Sequence, residues 1–379
     1  MKSIYLDYAA ATPVDEKVIA AMQPFFSDQF YNPSATYLAG RAARRALDEA
    51  RSSVAGWLGA RPGEITFTAG ATEANNLVIS GLMRRFPDGE VLVSAIEHES
   101  VLAPASQFQC RQIPVTGQGI TDLAKLEKMI TPKTVLVSVM LVNNELGTVQ
   151  PVKEVAKILN KSSILRKSGL PLYLHSDAAQ AANLFDLHVS RLGVDMLSLN
   201  GGKIYGPKQS GALYVRAGVE LQPLILGGGQ ERNLRSGTEN LAAAAGLAKA
   251  LELAQNQRHQ EVRRLVQLRD FFSRGISKLA PDTTINDSAR NQSPHILHVT
   301  FPGRDNERLM MQLDEAGVQV AVGSACSASS QQPSHVLKAI GLSDAEARAS
   351  LRFSFGRLTS KKQLAATLET LAAVLAANR

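Results

Sequence analysis

Over the first two thirds of the chain, short runs of consecutive apolar residues alternate with longer stretches in which apolar residues recur every three or four positions. Short apolar runs are typical of buried parallel strands, and the longer period is typical of helices packed on a sheet. The predicted strands span residues 64–68, 91–95, 134–141, 172–175, 196–199 and 211–215. The predicted helices between them include residues 72–84, 120–129 and 152–166. This alternation predicts an α/β fold with a mostly parallel sheet.

The last third of the chain has a different pattern. An alanine-rich helix is predicted at residues 239–253, and a longer helix at 260–279 is predicted to carry the chain out of the first domain. The apolar segments beyond it suit a smaller α/β domain and span residues 294–300, 308–315, 318–321 and 361–377. We therefore expect a large domain of residues 15–257 and a small domain of residues 1–14 and 258–379.

Composition narrows the class of protein. The chain has 379 residues, of which 45% are hydrophobic and 20% charged, as in an ordinary globular protein. It shows no apolar leader and no apolar stretch of membrane-spanning length, so a cytoplasmic protein without membrane contact is expected. The net charge is +7, but the basic residues are scattered and no nucleic-acid-binding motif accompanies them, so direct nucleic-acid binding is not expected. The two cysteines, Cys110 and Cys326, indicate no disulfide framework.

Asp177 and Lys203 are the first candidates for chemistry. Each follows a short apolar run, residues 171–174 and 195–199, that reads as a buried parallel strand. Ligands in α/β sheets collect at the carboxyl ends of such strands. An acid and an amine at one edge suit pyridoxal 5'-phosphate (PLP), whose aldehyde condenses with a lysine and whose ring nitrogen is kept protonated by a carboxylate. The alternative is an ordinary salt bridge between two surface loops.

The motif Ser-Asp-x-x-Gln at residues 176–180, followed by Gly-x-Lys-x-x-Gly-Pro at 201–207, resembles the class V aminotransferase family. Within that family the chain is similar to the IscS/NifS-like cysteine desulfurases, and the resemblance runs from residues 4–13 to residues 352–357. It implies a PLP-dependent transferase of fold type I, with a mostly parallel large-domain sheet and a smaller α/β domain.

The turn at residues 68–76 follows a predicted strand and opens a predicted helix, so its free amides suit a phosphate. Ala71 and Thr72 are the candidate contacts, the alternative for Thr72 being an ordinary helix cap. The resemblance implies that Asn200 and Gly201 also hold the cofactor. Relatives usually have Ser-x-His-Lys here, whereas this chain has Gly202 in place of the histidine, so either the phosphate is held less tightly or another group compensates.

Four further residues take cofactor roles by resemblance. His98 would stack on the pyridine ring and move protons, and its near-neutral titration suits that work. Asn144 and Gln180 would reach the phenolic oxygen of the ring. Thr238 would contact the phosphate from a neighbouring subunit, which implies a homodimer. Without the resemblance, a solvated turn histidine and turn-forming or capping amides would be the ordinary interpretations.

Cys326 lies in a run of small, polar residues, 323–333, which is typical of a thiol that must move. The alternatives are an unremarkable small residue and an oxidation-prone thiol. Beside a PLP site, Cys326 suggests persulfide chemistry, and about ten residues folded back on themselves could carry it on the order of 15 Å. No resident metal is expected, although Cys326 could act as a transient iron–sulfur ligand. Cys110 has no motif around it and is interpreted as a packing residue.

Arg352 matches the family arginine that holds the substrate carboxylate, a role suited to a guanidinium fork, and Asn32 would assist it. The alternative for Arg352 is an exposed strand charge. The predicted reaction converts L-cysteine to L-alanine and leaves sulfur as a persulfide on Cys326, with Lys203 and His98 moving protons.

Two other functional classes remain open. One is a different class V enzyme, either a selenocysteine lyase or a small-molecule aminotransferase, and an aminotransferase would not need Cys326. The other is a non-catalytic assembly scaffold. For a desulfurase, the expected partner is a sulfur acceptor such as an iron–sulfur scaffold or a tRNA-thiolation protein. Housekeeping IscS-type members often extend beyond the point where this sequence stops, and that tail helps dock the iron–sulfur scaffold, so docking in that manner is not expected here. The sulfur could instead go to a scaffold bound elsewhere, to tRNA-thiolation machinery or to another carrier.

Overall fold

The computed structural model describes residues 3–162, 169–288, 290–323 and 332–377. Its central sheet has seven strands. In sheet order they are β2 (Ile65–Thr68), β8 (Gly211–Val215), β7 (Met196–Asn200), β6 (Tyr173–Asp177), β5 (Thr134–Ser138), β3 (Glu90–Ser94) and β4 (Cys110–Ile113). The strands from β7 to β4 pair in parallel, whereas β8 is antiparallel to both β7 and β2. The predicted α/β fold with a mostly parallel sheet is confirmed.

The other strands are short or lie in the last third of the chain: β1 (Ile4–Tyr5), β9 (Thr284–Ile285), β10 (Ile296–Thr300), β11 (Val318–Gln319) and β12 (Ser350–Ser354). The helices are α1 (Glu16–Met22), α2 (Pro24–Ser27), α3 (Leu38–Leu58), α4 (Ala71–Arg85), α5 (Glu99–Ala105), α6 (Leu123–Met129), α7 (Val152–Lys161), α8 (Val189–Leu192), α9 (Leu241–Leu279), α10 (Asn306–Glu315), α11 (His335–Ala339), α12 (Asp344–Ala347) and α13 (Lys361–Ala377). None of the described helices combines the length and apolar character needed to span a bilayer.

Both faces of the central sheet are covered by helices. Successive strand residues point to opposite faces, so neighbouring residues of one strand join different cores. On one face Leu92 and Leu197 join a core that includes residues of α3 and α9. On the other face Val91 and Met196 join a core that includes residues of α4. All residues of β3 and β5 are buried, as expected of strands covered on two sides.

A separate core lies in the last third of the chain. There β10 pairs in antiparallel fashion with β9 and β12, and β1 pairs in parallel with β11. Phe272, Phe353 and Phe355 pack edge to face at its centre, and Leu6 from the beginning of the chain joins them. These contacts agree with a small unit that includes the N-terminal residues, but the boundaries 1–14, 15–257 and 258–379 stay a prediction.

Helix α9 differs from the sequence prediction of two helices. It is continuous over 39 residues, and its first half packs in the core of the large sheet while its second half packs in the separate core. The predicted break was wrong because the polar residues 255–259 interrupt the apolar period but include neither glycine nor proline. Gln255 in this stretch is buried and donates to the carbonyls of Ala182 and Phe185.

Other element boundaries moved for local reasons. Helix α6 begins at Leu123 instead of 120 because Asp122 caps it, accepting a hydrogen bond from the Lys125 amide. Helix α7 ends at Lys161, so the helix predicted at 152–166 is wrong at Ser162, and residues 163–166 lie outside the described part. Helix α3 and strand β4 were not predicted from the sequence.

Candidate active site

Asp177 and Lys203 lie at the carboxyl edge of the central sheet. Strand β6 ends at Asp177, the neighbouring strand β7 ends at Asn200, and Lys203 closes the helical turn that follows β7. Asp177 is 6% exposed, so a salt bridge between surface loops does not describe it. The Lys203 amine donates to the carbonyls of Ala9 and Ala10, at 3.0 and 2.6 Å.

A chain of hydrogen bonds connects Asp177 to His98. The Asp177 carboxylate accepts from Asn75 Nδ2 at 2.7 Å and from the Ala179 amide at 2.8 Å. Asn75 Nδ2 also donates to Ser100 Oγ at 2.9 Å, and Ser100 Oγ lies 2.8 Å from His98 Nδ1. No role was predicted for Asn75 or Ser100, although Asn75 lies in the segment 68–76 and Ser100 lies two residues after His98.

His98 caps helix α5. Its Nδ1 accepts a hydrogen bond from the Ser100 amide at 3.1 Å, and the residue is half-buried. Because an acceptor Nδ1 carries no proton, the neutral ring holds its proton on Nε2. A freely solvated turn histidine is therefore the wrong description, and contact with a cofactor ring stays a prediction.

Burial disfavours the charged forms of the groups beneath this edge. Burial raises the pKa of Glu97 well above its usual value, and the nearby Asp177 charge raises it further, against a hydrogen bond from the Met140 amide. Burial lowers the pKa of His175 to about 4, with Asp177 opposing the shift. The His175 ring lies between Ser138 Oγ and Ser198 Oγ, at 2.8 and 3.0 Å. Asp177, at the end of β6, therefore lies next to groups whose charged forms burial disfavours.

An open cradle separates the start of α4 from the end of β7. Gly70 precedes α4 with φ +145°, and an added Cβ there would find Asn200 Oδ1 at 4.0 Å and nothing closer. The first amide bonded inside the helix is that of Ala74, to the Gly70 carbonyl. The amides of Ala71 and Thr72 precede it, where a helix presents free donors and positive potential. The cradle therefore suits an anion.

The turn after β7 contains Gly202, the glycine that stands where relatives usually have a histidine. Asn200 Oδ1 accepts from the Gly202 amide at 3.1 Å and so caps the turn. A Cβ at Gly201 would lie 2.1 Å from Ser210 Oγ, so only glycine fits there. A Cβ at Gly202 would make ordinary contacts, at 3.5 Å to Asn200 Oδ1 and 3.8 Å to Lys208. Crowding at the Cβ position therefore does not explain why glycine replaces the histidine.

Gln180 and Asn144 flank the same edge. Gln180 Nε2 donates to the Ala9 carbonyl at 2.9 Å, and its Oε1 accepts from His295 Nε2 at 3.2 Å. Burial and the charge of Arg352 lower the pKa of His295 to about 3, so this ring is neutral. Asn143 is fully buried; its Oδ1 accepts from the Glu145 and Leu146 amides in the turn, and its Nδ2 donates to the Ile96 carbonyl. The backbone carbonyl of Asn144, the next residue, accepts a hydrogen bond from Arg352 Nη1.

Arg352 lies on β12, opposite His298, and is 2% exposed. Its Nη1 donates to the Asn144 carbonyl at 2.8 Å and its Nη2 to Asp7 Oδ1 at 2.7 Å. Its Nε is buried and has no hydrogen-bond partner among the described residues. The alternative of an exposed strand charge is wrong, because the register of β12 turns this side chain inward.

The remaining candidate residues are not joined to this cluster by described contacts. Asn32 is exposed, and its Oδ1 accepts from the Ser34 amide. Thr238 is exposed and lines a cleft of about 260 Å³ with Thr68, Ala69 and Arg235. Cys326 lies outside the described residues.

Cys110 lies on β4 and packs against the core that contains Val91. Burial raises the pKa of its thiol, and Glu90 raises it further. A thiol held protonated in this way is a poor nucleophile. The structure therefore agrees with Cys110 as a packing residue.

The arrangement of site residues can be compared with known proteins. The model of one protein family, aminotransferase class-V, matches residues 4–366. The chain belongs to the class-V aminotransferase family. Members of this family depend on PLP. The site fits this cofactor, because a lysine amine, a buried carboxylate and an open anion cradle converge at one sheet edge.

Curated relatives in the family resemble the chain over nearly its whole length. It is 40% identical to "Cysteine desulfurase IscS" of Dictyoglomus turgidum, covering 99% of this chain and 95% of the relative. It is 41% identical to "Cysteine desulfurase IscS 1" of Archaeoglobus fulgidus, covering 98% and 96%. Among solved structures, "NIFS-LIKE PROTEIN" superposes with a TM-score of 0.90 at 31% identity, covering 99% of both chains. "SspA in complex with cysteine" superposes with a TM-score of 0.78 at 37% identity, covering 93% and 99%.

Proposed function

We propose that this chain is a PLP-dependent cysteine desulfurase, which converts L-cysteine to L-alanine and retains the sulfur as a persulfide on Cys326. The curated relatives with 40% and 41% identity both carry this activity in their names. The proposal is tested by quantifying the alanine and sulfide that wild-type and Cys326→Ser proteins form from L-cysteine.

The observation that carries the proposal is that the chain on both sides of Cys326 is fixed at the site. Before it, Ala321 exchanges two backbone hydrogen bonds with Arg352, at 2.9 and 3.2 Å. After it, Ser334 Oγ donates to Glu145 Oε2 at 2.6 Å, next to Asn144. Ala321 and Ser334 also line a cleft of about 500 Å³ together with Asp7, the partner of Arg352. The described segments that precede and follow Cys326 are therefore both attached beside the proposed substrate carboxylate site.

In this proposal the residues of the sheet edge hold the cofactor. Ala71, Thr72, Asn200 and Gly201 would receive its phosphate, and Asp177 its ring nitrogen. Its phenolic oxygen would meet Asn144 and Gln180, and its ring face would meet His98. When bound, PLP supplies an electron sink that stabilises negative charge on the substrate carbons.

Lys203 is the group proposed to bind the cofactor and to move the proton of the substrate α-carbon. Its amine is held by two carbonyls of residues 9–10, and Gln180 donates to one of the same carbonyls. This segment therefore fixes where the amine can act. A positioned amine within reach of the α-carbon is what general base catalysis requires.

Arg352 would receive the substrate carboxylate, with Asn32 assisting. Arg352 Nη2 donates to Asp7 Oδ1, while its Nε is buried and has no hydrogen-bond partner in the part of the chain that the structure describes. An unpaired donor on a buried guanidinium is costly and marks an unfilled acceptor position. A substrate carboxylate would accept from Nε, and its second oxygen would compete with Asp7 for Nη2.

Sulfur transfer needs no external oxidant. The Cys326 thiolate attacks the substrate sulfur, a new sulfur–sulfur bond forms, and the bond from substrate sulfur to Cβ breaks. The electron pair of the broken bond stays with the carbon fragment, which gains protons and leaves as alanine. The sulfur is oxidised to the persulfide level while the carbon is reduced, so the overall reaction is balanced.

A histidine restored at position 202 should slow cofactor loss. An added Cβ at Gly202 makes only ordinary contacts, and the ring nitrogen of a histidine there would donate to a phosphate in the cradle. We expect Gly202→His to lose PLP about tenfold more slowly than wild type during dialysis against a carbonyl-trapping amine, as one hydrogen bond to a charged group implies. Gly202→Ala is the matched control, because it adds a Cβ without a donor. Equal loss rates for all three proteins would show that the position has no effect.

We infer that the chain works as a homodimer, in which Thr238 of each chain contacts the cofactor phosphate of the neighbouring subunit. In support, Phe30 stacks on Tyr31, and Tyr31 contacts Tyr37 edge to face. Phe30 is 65% exposed, and Leu38, the residue after Tyr37, is 77% exposed. Exposed apolar groups of this kind mark interaction surfaces. Sedimentation equilibrium should give the mass of two chains, and Leu38→Glu should shift the protein toward one chain. A single-chain mass for wild type would contradict the inference.

The sulfur acceptor is proposed to be an iron–sulfur scaffold or a tRNA-thiolation protein. The relatives named IscS support a place in iron–sulfur cluster assembly. The cytoplasmic location stays a prediction.

A further inference from the structure

Asn75 and Ser100 form a buried bridge between two elements that the proposed mechanism uses separately. Asp177 ends strand β6, whereas His98 caps helix α5. Asn75, on α4, is fully buried and contacts both Asp177 Oδ2 and Ser100 Oγ through one nitrogen, at 2.7 and 2.9 Å. Ser100 is itself 8% exposed, so the bridge is shielded from water.

The directions of these hydrogen bonds follow from one fixed donor. The Ser100 amide donates to His98 Nδ1, so this nitrogen is an acceptor. The Ser100 hydroxyl, 2.8 Å from the same nitrogen, must therefore donate to it and leave its lone pairs for another group. Those lone pairs require a donor from Asn75, which turns its NH₂ group toward Ser100. The same NH₂ group then has its second hydrogen for Asp177.

The other end of the Asn75 amide shows that this orientation has a cost. Asn75 Oδ1 is buried and has no hydrogen-bond partner among the described residues. A flipped amide would direct this oxygen at the Asp177 carboxylate, which is less favourable still. Leaving a buried acceptor unsatisfied is destabilising, so a residue that only filled space here would be better apolar. The retained amide indicates that its donor matters.

We propose that Asn75 and Ser100 are positioning residues. They hold the Asp177 carboxylate in the orientation that the cofactor ring nitrogen requires, and they fix its position relative to the His98 ring. The proposal rests on the proposed function, because it assumes a PLP ring between Asp177 and His98. Each Asp177 oxygen has one fixed donor, Asn75 Nδ2 on one and the Ala179 amide on the other. Two donors fix the rotation of the carboxylate, and each oxygen keeps a lone pair for a ligand.

The experiment compares full-length variants by their affinity for PLP and by the visible spectrum of the bound cofactor. Asn75→Leu removes the donor at nearly constant volume, and Asp177→Asn removes the charge itself. Asn76→Ala is the matched control, because Asn76 lies next in α4 and donates to the carbonyls of Thr72 and Ser100 but not to Asp177. Ser100→Ala is a second test in case Asn75→Leu folds poorly.

Asn75→Leu should weaken PLP affinity about tenfold to a hundredfold, the range expected for a hydrogen bond to a charged group. It should also move the visible spectrum in the same direction as Asp177→Asn, and the double variant should show no further shift than Asp177→Asn alone. Ser100→Ala should show a smaller shift in that direction, while Asn76→Ala should match wild type.

Two results would overturn the proposal in different ways. If Asn75→Leu lowers thermal stability but keeps wild-type affinity and spectrum while Asp177→Asn changes both, Asn75 has only a structural role and the proposed function stands. If Asp177→Asn itself leaves affinity and spectrum unchanged, the cofactor site is misassigned and the proposed function fails with it.

Discussion

Lys203→Ala should abolish alanine production from L-cysteine, with a loss of at least about a thousandfold, within the range expected when a positioned acid–base group is removed. The fold should remain, since the Lys203 amine bonds to backbone carbonyls of residues 9–10 at the site edge and not within a hydrophobic core. Borohydride treatment of the wild-type holoprotein should fix PLP irreversibly to one lysine, and peptide mapping by mass spectrometry should locate it on Lys203.

Lys208 provides the control for this experiment. It lies five positions further along and also reaches the N-terminal segment, where its Nζ donates to the Thr12 carbonyl at 3.0 Å. Lys208→Ala should keep both the visible colour and the activity. Label found on Lys208, or full activity in Lys203→Ala, would contradict the assignment of the lysine.

The convergence of Asp177 and Lys203 could be predicted from the sequence because it depends only on local patterns. Each residue follows a short apolar run, and parallel strands bring their carboxyl ends to one edge. The same reasoning located the α4 cradle, since a strand, a glycine and a helix start are consecutive in the chain. Most of the central sheet was predictable for the same reason.

Contacts between distant segments could not be predicted in this way. The ion pair between Arg352 and Asp7 joins residues 345 positions apart and depends on the pairing of β12 with the N-terminal segment. The bridge through Asn75 and Ser100 depends on how α4 packs against α5, and a buried asparagine in a helix has no distinctive sequence pattern. Helix α9 was predicted in two parts because the apolar period stops at residues 255–259, although the helix continues through them.

Cys326→Ser should retain the cofactor colour and the spectral change on adding cysteine, because Lys203, Asp177 and Arg352 are unaltered. It should lose alanine and sulfide production by at least about a thousandfold, since a hydroxyl is a far poorer nucleophile toward sulfur than a thiolate. Cys110→Ser is the matched control. Burial raises the pKa of the Cys110 thiol, so its replacement should leave turnover unchanged.

Normal alanine production by Cys326→Ser would place the chain among other class V activities, such as a selenocysteine lyase or an aminotransferase. Loss of the spectral change together with turnover would instead indicate that the substitution damages substrate binding. The spectral change therefore reports substrate binding, and alanine production reports sulfur removal, so the two measurements together separate these effects.

The most direct measurement is mass spectrometry of wild-type holoprotein after a short incubation with L-cysteine in the absence of reductant. The account predicts one added sulfur, removed by dithiothreitol, on the peptide that contains Cys326, and one alanine formed for each sulfur retained. Alanine formed with no added sulfur on that peptide, or sulfur found on Cys110 instead, would contradict it.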